Sequence, residues 1–191
     1  ECIEDAGYGG DSLKGSNTGI YVGCGPSSYP SLMSHLPIEA YSVTGSVSSV
    51  GPNRISYNMD WHGPSNPIDT ACSSSLVAVH RAIEAIRGGH CEVAIVGGVN
   101  ALISADVYIS FTKSGMLCED GRCKTFSDRA NGYVRGEGVG MLMLKSLRAA
   151  QRDGDDIYAV IKGAAENHGG RTTSLTAPNP NAQAAVIRRA I

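Results

Sequence analysis

The sequence lacks the features by which membrane, secreted and nucleic-acid-binding proteins are usually identified. It contains no run of about 18 apolar residues, the length that a membrane span needs. Its opening residues, Glu1 to Asp5, are not a basic region followed by an apolar one, so no signal peptide is visible. Because 16 Lys and Arg residues are balanced by 18 Asp and Glu residues, the charge predicts no nucleic-acid partner.

Charged residues are scarce as well. They make up 18% of the chain, below the roughly 25% of an average soluble domain, whereas apolar residues make up 42%. That balance excludes an intrinsically disordered chain. The 24 glycines predict many tight turns, and the length of 191 residues fits one large domain or two small ones.

The 6 cysteines predict free thiols rather than a disulfide framework, because the chain has long apolar segments that small disulfide-rich scaffolds lack. Free thiols favour the reducing environment of the cytoplasm. Cys118 and Cys123 form one loose C-x4-C pair, and His90 and Cys91 lie upstream of it. A zinc site usually needs two tight pairs, so we expect no metal.

Apolar segments alternate with helix-like patterns along the chain. Strands are predicted at residues 18–23, 92–98, 139–144 and 157–161, and helices at residues 73–87, 104–113 and 146–152. This alternation predicts an α/β layered fold whose strands are buried between helices. We expect Ser104 to cap the helix at residues 104–113. Pro52 would break or shorten any helix that includes it, just before Asn53 and Arg54.

Both ends of the chain resemble interrupted helices. Residues 1–7 are typical of the last turns of a helix, which either Gly7 or the pair Gly9 and Gly10 would close. Asn179 and Pro180 are typical of a helix start, and no stop signal follows them before Ile191. We therefore expect the sequence to be part of a larger protein.

The chemistry is concentrated around Cys72, which lies between an extended segment, residues 66–70, and the helix predicted after it. A cysteine at a helix N-terminus lies beside unpaired N–H groups and the positive end of the helix dipole, which favour the thiolate nucleophile. The small residues Ala71, Ser73 and Ser74 allow a sharp turn. The N–H of Cys72 would then face the oxyanion that forms when a carbonyl group reacts with its thiolate. On spacing alone, Cys72 could equally be a small buried residue at a helix start.

Residues 64–89, PSNPIDTACSSSLVAVHRAIEAIRGG, resemble the active-site segment of the β-ketoacyl synthases, or ketosynthases, of modular type I polyketide synthases. Similar agreement follows in order along the chain, at residues 97–100, 115–126, 131–138 and 176–183. The resemblance covers essentially the whole sequence.

The resemblance implies a thiolase-like αβαβα layered sandwich. Residues 1–150 would form its N-terminal half, and residues 151–191 would begin its C-terminal half. Cys72 matches the family's acyl-accepting nucleophile. The implied activity is acyl transfer from an acyl carrier protein to Cys72, followed by decarboxylative Claisen condensation with malonyl-carrier protein, as in fatty-acid biosynthesis. Substrates would arrive on phosphopantetheine, and no cofactor would bind the chain directly.

The family's two histidine motifs, His-Gly-Thr-Gly-Thr and Asn-Ile-Gly-His, do not occur in the sequence, and neither does its Gly-Phe-Gly loop. The 5 histidines that are present are poor substitutes, and His80 is expected in the core. The 191-residue chain alone is therefore predicted to be inactive. The alternative to a condensing enzyme is a non-condensing, ketosynthase-like gatekeeper that binds the acyl chain and holds a dimer together.

The resemblance also implies partners. A ketosynthase works with an acyl carrier protein, and the extended segment near Ile68 would pair with its own copy in a homodimer. Residues 59–65, 167–170 and 178–183 are similar to those of ketosynthases of the trans-acyltransferase type.

Two further patterns are interpreted as structural. Residues 136–140, GEGVG, precede a predicted strand instead of linking a strand to a helix, which argues against a dinucleotide-binding loop. The dense mixed charges of residues 119–138 predict a loop that is held by ion pairs and glycine turns.

Overall fold

The computed structural model describes residues 1–191 and contains one four-stranded sheet. Its strands are β1 (Thr18–Cys24), β2 (Ser65–Ile68), β3 (Val93–Asn100) and β4 (Gly138–Lys145), in the spatial order β2-β1-β3-β4. Strand β1 runs parallel to β2 and β3, whereas β4 is antiparallel to β3. A mixed sheet accompanied by helices confirms the predicted α/β class.

Helices alternate with these strands along the chain. They are α1 (Cys2–Asp5), α2 (Tyr29–Met33), α3 (Val50–Met59), α4 (Ser74–Arg87), α5 (Asp106–Lys113), α6 (Leu147–Asp153) and α7 (Pro180–Ala190). A single 3-10 turn, Ala71–Ser73, directly precedes α4. None of these helices combines the length and the apolar character that crossing a bilayer demands.

The two central strands are buried on both faces. On one face, Tyr21 of β1 packs in a cluster with Ala82 of α4. On the opposite face, Ile20 of β1 and Ile95 of β3 pack with Trp61. Successive side chains of a strand point to opposite faces, so two covered faces require the continuous apolar runs that the sequence shows at these strands.

Two helices begin with the side-chain caps that the local sequence favours. The side chains of Asn179 and Ser146 accept hydrogen bonds from backbone N–H groups and cap α7 and α6, respectively. Ser104 does not cap α5 as predicted. That helix begins at Asp106, and the Ser104 hydroxyl bonds the Asp106 carboxylate at 3.2 Å instead.

Pro52 does not break α3. It is the third residue of that helix, which runs from Val50 to Met59, and it is fully buried. A proline in the first turn is tolerated because the N–H groups there have no acceptor within the helix. The prediction of a break at this position is wrong.

Two of the predicted strands differ from expectation. Residues 139–144 form β4, but no residue of this strand is fully buried, and the Val139 side chain is 71% exposed. The cause is its place at the sheet edge, where other elements cover little of its first half. Residues 157–161 form no strand, and Tyr158 is exposed. An extended segment becomes a strand only when a neighbour exchanges hydrogen bonds with it, and no strand of this chain does so.

A polar network connects the start of the chain to the segment after α6. The Tyr8 hydroxyl donates to Asp155 Oδ1 at 2.6 Å, and Lys145 Nζ donates to the Tyr8 hydroxyl at 2.6 Å and to Asp155 Oδ2 at 2.7 Å. Lys145 also lies 2.6 Å from Asp153, and its side chain is only 11% exposed. Burial opposes the charge of Lys145, but these hydrogen bonds outweigh it and raise the pKa of the ammonium group.

Candidate active site

Cys72 lies in the short connection between β2 and α4. After β2 ends at Ile68, two residues lead to the 3-10 turn Ala71–Ser73, which continues directly into α4. Cys72 is exposed, so it is not the small buried residue of the alternative interpretation. The structure thus places this thiol on a strand-to-helix turn where a substrate can reach it.

This turn lies at the carboxyl ends of the parallel strands. In the register of the sheet, Ile68 lies beside Gly23 of β1, Gly23 beside Gly98 of β3, and Gly98 beside Gly140 of β4. Open α/β sheets bind ligands outside the carboxyl ends of their strands. Because Cys72 follows Ile68 by only a few residues, the turn stands next to this row of glycines.

The first turn of α4 lies very close to the sheet. A Cβ atom on Gly23 would stand 2.5 Å from the backbone nitrogen of Ser75, and one on Gly98 would stand 2.8 Å from the Ser75 Cβ. Both distances are too short for a real side chain, so glycine is required at both positions. A glycine inside a strand is a sequence signal of close approach, but only the structure shows that α4 is the element that approaches.

Side chains on both flanks of the turn hold its backbone. The Ala71 N–H donates to Asp69 Oδ1 at 3.1 Å, and the Thr70 N–H donates to the Ser74 hydroxyl at 2.9 Å. The Ser74 hydroxyl in turn donates to the carbonyl oxygen of Ala71 at 2.7 Å. Sequence reasoning used Ser74 only as a small residue and missed Asp69 altogether. The available signal was the preference of Ser and Asp for bonding the backbone at helix starts.

None of the chain's hydrogen bonds or ion pairs joins a histidine to Cys72. His80 lies on α4 with its side chain 16% exposed, and its Nε2 is 3.6 Å from Glu84. This largely buried position agrees with the expectation that His80 belongs to the core. His62 lies 3.2 Å from Asp60, and His168 accepts a hydrogen bond from the Gly170 N–H.

The remaining cysteines differ from Cys72 in their surroundings. Burial raises the pKa of three other thiols, which are those of Cys2, Cys24 and Cys91. Cys118 is buried too, whereas Cys123 is exposed and accepts a hydrogen bond from the Val134 N–H at 3.2 Å. All six thiols are free, and no group of three or more His, Cys, Asp or Glu side chains is arranged to hold a metal ion.

One ion pair of the predicted kind lies in the charged segment at residues 119–138. Lys124 pairs with Asp120 at 2.7 Å. The guanidinium group of Arg135 lies 5.1 Å from the ring centroid of Phe111, within the range of a cation–π contact. These contacts give the segment a structural role.

Comparison with known proteins agrees with this geometry. The sequence model of the family described as "Beta-ketoacyl synthase, N-terminal domain" matches residues 1–150, and that of "Beta-ketoacyl synthase, C-terminal domain" matches residues 158–191. Polyketide synthase PksN of Bacillus subtilis (strain 168) is 54% identical over 190 residues, which cover 100% of this chain and 4% of that protein. The 6-methylsalicylic acid synthase of Penicillium expansum is 47% identical over 193 residues, covering 100% of this chain and 11% of that protein.

Solved structures are similar over nearly the whole chain. The ketosynthase from module 6 of the bacillaene synthase from Bacillus subtilis 168 has a TM-score of 0.88 at 39% identity, over 97% of this chain and 32% of that one. An oxazolomycin ketosynthase domain from Streptomyces albus JA3453 has a TM-score of 0.90 at 40% identity, over 98% of this chain and 34% of that one. The chain thus spans about a third of these ketosynthases and a small part of the curated relatives. Their thiolase-like sandwich confirms the predicted fold family.

Proposed function

The chain belongs to the β-ketoacyl synthase family, and on that basis we propose that it carries the acylation site of a condensing ketosynthase in a modular polyketide synthase. Cys72 is the nucleophile in this proposal. Residues 1–150 are the N-terminal half of the ketosynthase, and residues 151–191 begin its C-terminal half. The observation that carries the proposal is the exposed thiol of Cys72 on a strand-to-helix turn fixed against the sheet.

The proposed reaction starts with acyl transfer. The Cys72 thiolate attacks the thioester carbonyl of an acyl chain that an acyl carrier protein presents on its phosphopantetheine arm. The backbone N–H of Cys72 donates to the oxyanion, as preorganised donors do in acyl transfer. Collapse of this intermediate expels the pantetheine thiolate and leaves the acyl group on Cys72. The chain itself binds no cofactor in this scheme.

Condensation follows on the acylated thiol. A second carrier protein brings a malonyl group, which loses CO₂ and becomes an enolate. The enolate carbon attacks the carbonyl of the Cys72 thioester, the C–S bond breaks, and the Cys72 thiolate is released. The β-ketoacyl product, longer by two carbons, stays on the carrier protein.

The test is an elongation assay with the ketosynthase that carries this chain, an acyl-carrier protein and malonyl-carrier protein, followed by mass spectrometry of both carriers. A product longer by two carbons, lost in Cys72→Ala and kept in Cys123→Ala, is the expected result. Loading of Cys72 without elongation would instead identify a non-condensing gatekeeper. Elongation by the Cys72→Ala variant would overturn the proposal.

We also propose that a second copy of the protein pairs with β2. This strand is one edge of the sheet, with β1 as its neighbour on the other side. An edge strand presents unpaired backbone groups, and a two-fold contact satisfies both copies at once. Pro67 has no N–H to donate, so the paired stretch near Ile68 is short. The dimer works in the cytoplasm, where free thiols stay reduced.

We further assign the ketosynthase to the trans-acyltransferase type. The two motif stretches that support this, residues 167–170 and 178–183, are bonded to each other. Asn167 Nδ2 donates to the Ala182 carbonyl oxygen at 2.8 Å, and Asn179 Nδ2 donates to the Gly169 carbonyl oxygen at 2.7 Å. These bonds hold the two stretches together, which supports treating them as one structural motif of the trans-acyltransferase type.

A further inference from the structure

The chain turns toward Cys72 through a backbone conformation that alanine seldom adopts. Ala71 has a φ of +56°, in the left-handed region where a Cβ atom is unfavourable. Glycine adopts this region freely, and Asn or Asp can bond locally to stabilise it. Alanine has no polar side chain with which to do so. The left-handed conformation at Ala71 must therefore be held by its neighbours.

The neighbours bond both polar groups of the Ala71 backbone. Its N–H donates to Asp69 Oδ1 at 3.1 Å, and its carbonyl oxygen accepts from the Ser74 hydroxyl at 2.7 Å. The same hydroxyl accepts from the Thr70 N–H at 2.9 Å, so one side chain bonds the backbone on both sides of the turn. Asp69 approaches from the strand side and Ser74 from the helix side.

Both side chains stand on elements that are themselves fixed. Ser74 is the first residue of α4 and is only 7% exposed. Its carbonyl carbon would be 2.7 Å from a Cβ on Gly23, which shows how closely the helix start is seated on β1. Asp69 immediately follows Ile68, which pairs with the same Gly23. The turn is therefore attached to β1 from both of its ends.

We propose that Ser74 and Asp69 are positioning residues for Cys72, an inference that rests on the acylation role proposed for this thiol. By holding Ala71, they set the direction of the Cys72 N–H and thiol relative to an incoming thioester. Asp69, Thr70 and Ala71 are exposed, so water can replace the Ala71–Asp69 bond when the Asp69 side chain is removed. The rate of acyl transfer should therefore fall in Asp69→Ala while the midpoint of thermal unfolding changes little.

The test measures acylation of Cys72 in the ketosynthase that carries this chain, with an acyl-pantetheine thioester as donor and mass spectrometry as readout. Ser74→Ala and Asp69→Ala are expected to lower the maximal acylation rate by roughly tenfold to a hundredfold, the range for a misplaced reacting group. The KM for the donor stays close to wild type in both variants, and the midpoint of thermal unfolding does so in Asp69→Ala, whose bond is exposed. Asp69→Asn keeps an acceptor oxygen and recovers most of the rate.

Ser146→Ala is the matched control. Ser146 also uses its hydroxyl at a helix start, but it follows Lys145, which pairs with Val93 at the opposite end of β3 from Gly98. This variant is expected to acylate at the wild-type rate.

Wild-type acylation rates in both Ser74→Ala and Asp69→Ala would overturn the positioning role. A rate loss matched by an equal loss of folded protein would overturn it as well, because it would reveal a purely structural role. Failure of the proposed function gives a different result. In that case Cys72→Ala itself retains elongation, or the wild type loads Cys72 without elongation, whatever the rates of the two positioning variants.

Discussion

Ser75 in the first turn of α4 and Gly23 at the end of β1 are in such close contact that a side chain on Gly23 would overlap the helix backbone. The Cβ of an alanine there would lie 2.5 Å from the Ser75 nitrogen. Gly98 on the neighbouring strand leaves similar room for the Ser75 side chain. The turn that carries Cys72 is thus seated on two glycines, and its position depends on both.

Replacing Gly23 should therefore damage the site through packing alone. Gly23→Ala forces α4 away from β1 and is expected to lower the free energy of unfolding by about 1–3 kcal/mol, the usual effect of overpacking. Acylation of Cys72 should fall with it. Gly140→Ala is the matched control, because it lies in the same row of the sheet and its Cβ would meet no atom within 4 Å. Equal unfolding free energies for the two variants, measured in urea, would contradict this account.

The acid limit of stability should come from the carboxylates around Lys145. Arg152, and then Lys145, lower the pKa of Asp153 to about 2. At Asp155 burial opposes ionisation, but bonds from Lys145 and Tyr8 outweigh it and lower the pKa. Such groups stabilise the fold fully above their unfolded pKa of about 3.9. The stabilisation is lost as the pH falls through the folded value. We expect the free energy of unfolding to decline from about pH 5 downward.

Two tyrosine-to-phenylalanine substitutions test the same network at neutral pH. Tyr8→Phe removes one bond to Asp155 and one from Lys145, and should lower the free energy of unfolding by about 1–2 kcal/mol. It should also flatten the decline toward low pH, because Asp155 loses a donor that favours its ionised form. Tyr158→Phe is the control, since this exposed residue bonds only Asp5 and should change stability by less than about 0.5 kcal/mol. If Tyr8→Phe and Tyr158→Phe lower the free energy of unfolding by similar amounts, the network around Lys145 does not stabilise the fold.

Much of the fold could be predicted because its signals are local. The continuous apolar runs of β1 and β3 require burial on both faces, and the caps at Ser146 and Asn179 depend on residues within one turn. The position of Cys72 on a strand-to-helix turn has the same origin. A helix pattern follows it directly, and small residues surround it.

What could not be predicted depends on contacts between distant parts of the chain. No local pattern shows that α4 rests on Gly23, or that residues 157–161 find no strand to pair with. Asp69 and Ser74 bond the backbone of Ala71, which has a left-handed conformation. The alanine side chain gives no sequence signal for that conformation. Pro52 was misjudged because the start of its helix lies two residues earlier.

The dimer proposal predicts that a charge on β2 separates the two copies. Ile68→Lys in the ketosynthase that carries this chain should give monomers without condensing activity, because a charge placed against the apolar cluster there would displace the strand that pairs. Ile68 also packs against the cluster beneath α4, so Ile68→Val is the matched variant and should remain an active dimer. Sedimentation velocity decides the matter. If the Ile68→Lys protein is still a dimer, or if it is a monomer with full activity, the proposed strand pairing is contradicted.

The 191-residue chain by itself should not condense anything. No histidine is bonded to Cys72, and the absence of a catalytic base commonly lowers a rate by about 10²–10⁴-fold. Apolar side chains such as Val139 and Leu142 are exposed, so the isolated chain should also tend to associate. Incubation with both carrier proteins and sedimentation of the same sample check both points. A soluble monomer that forms β-ketoacyl product would contradict them.

The central claim is that Cys72 carries the acyl chain, and peptide mapping tests it most directly. The ketosynthase that carries this chain is incubated with an acyl-pantetheine thioester and digested, and its cysteine peptides are analysed by mass spectrometry. Because the exposed thiol of Cys72 lies on the fixed turn at the end of β2, we predict the acyl group on Cys72 alone. Cys123, which is also exposed but lies outside that turn, should stay unmodified. Equal acylation of Cys123, or acylation that persists in Cys72→Ala, would contradict the claim.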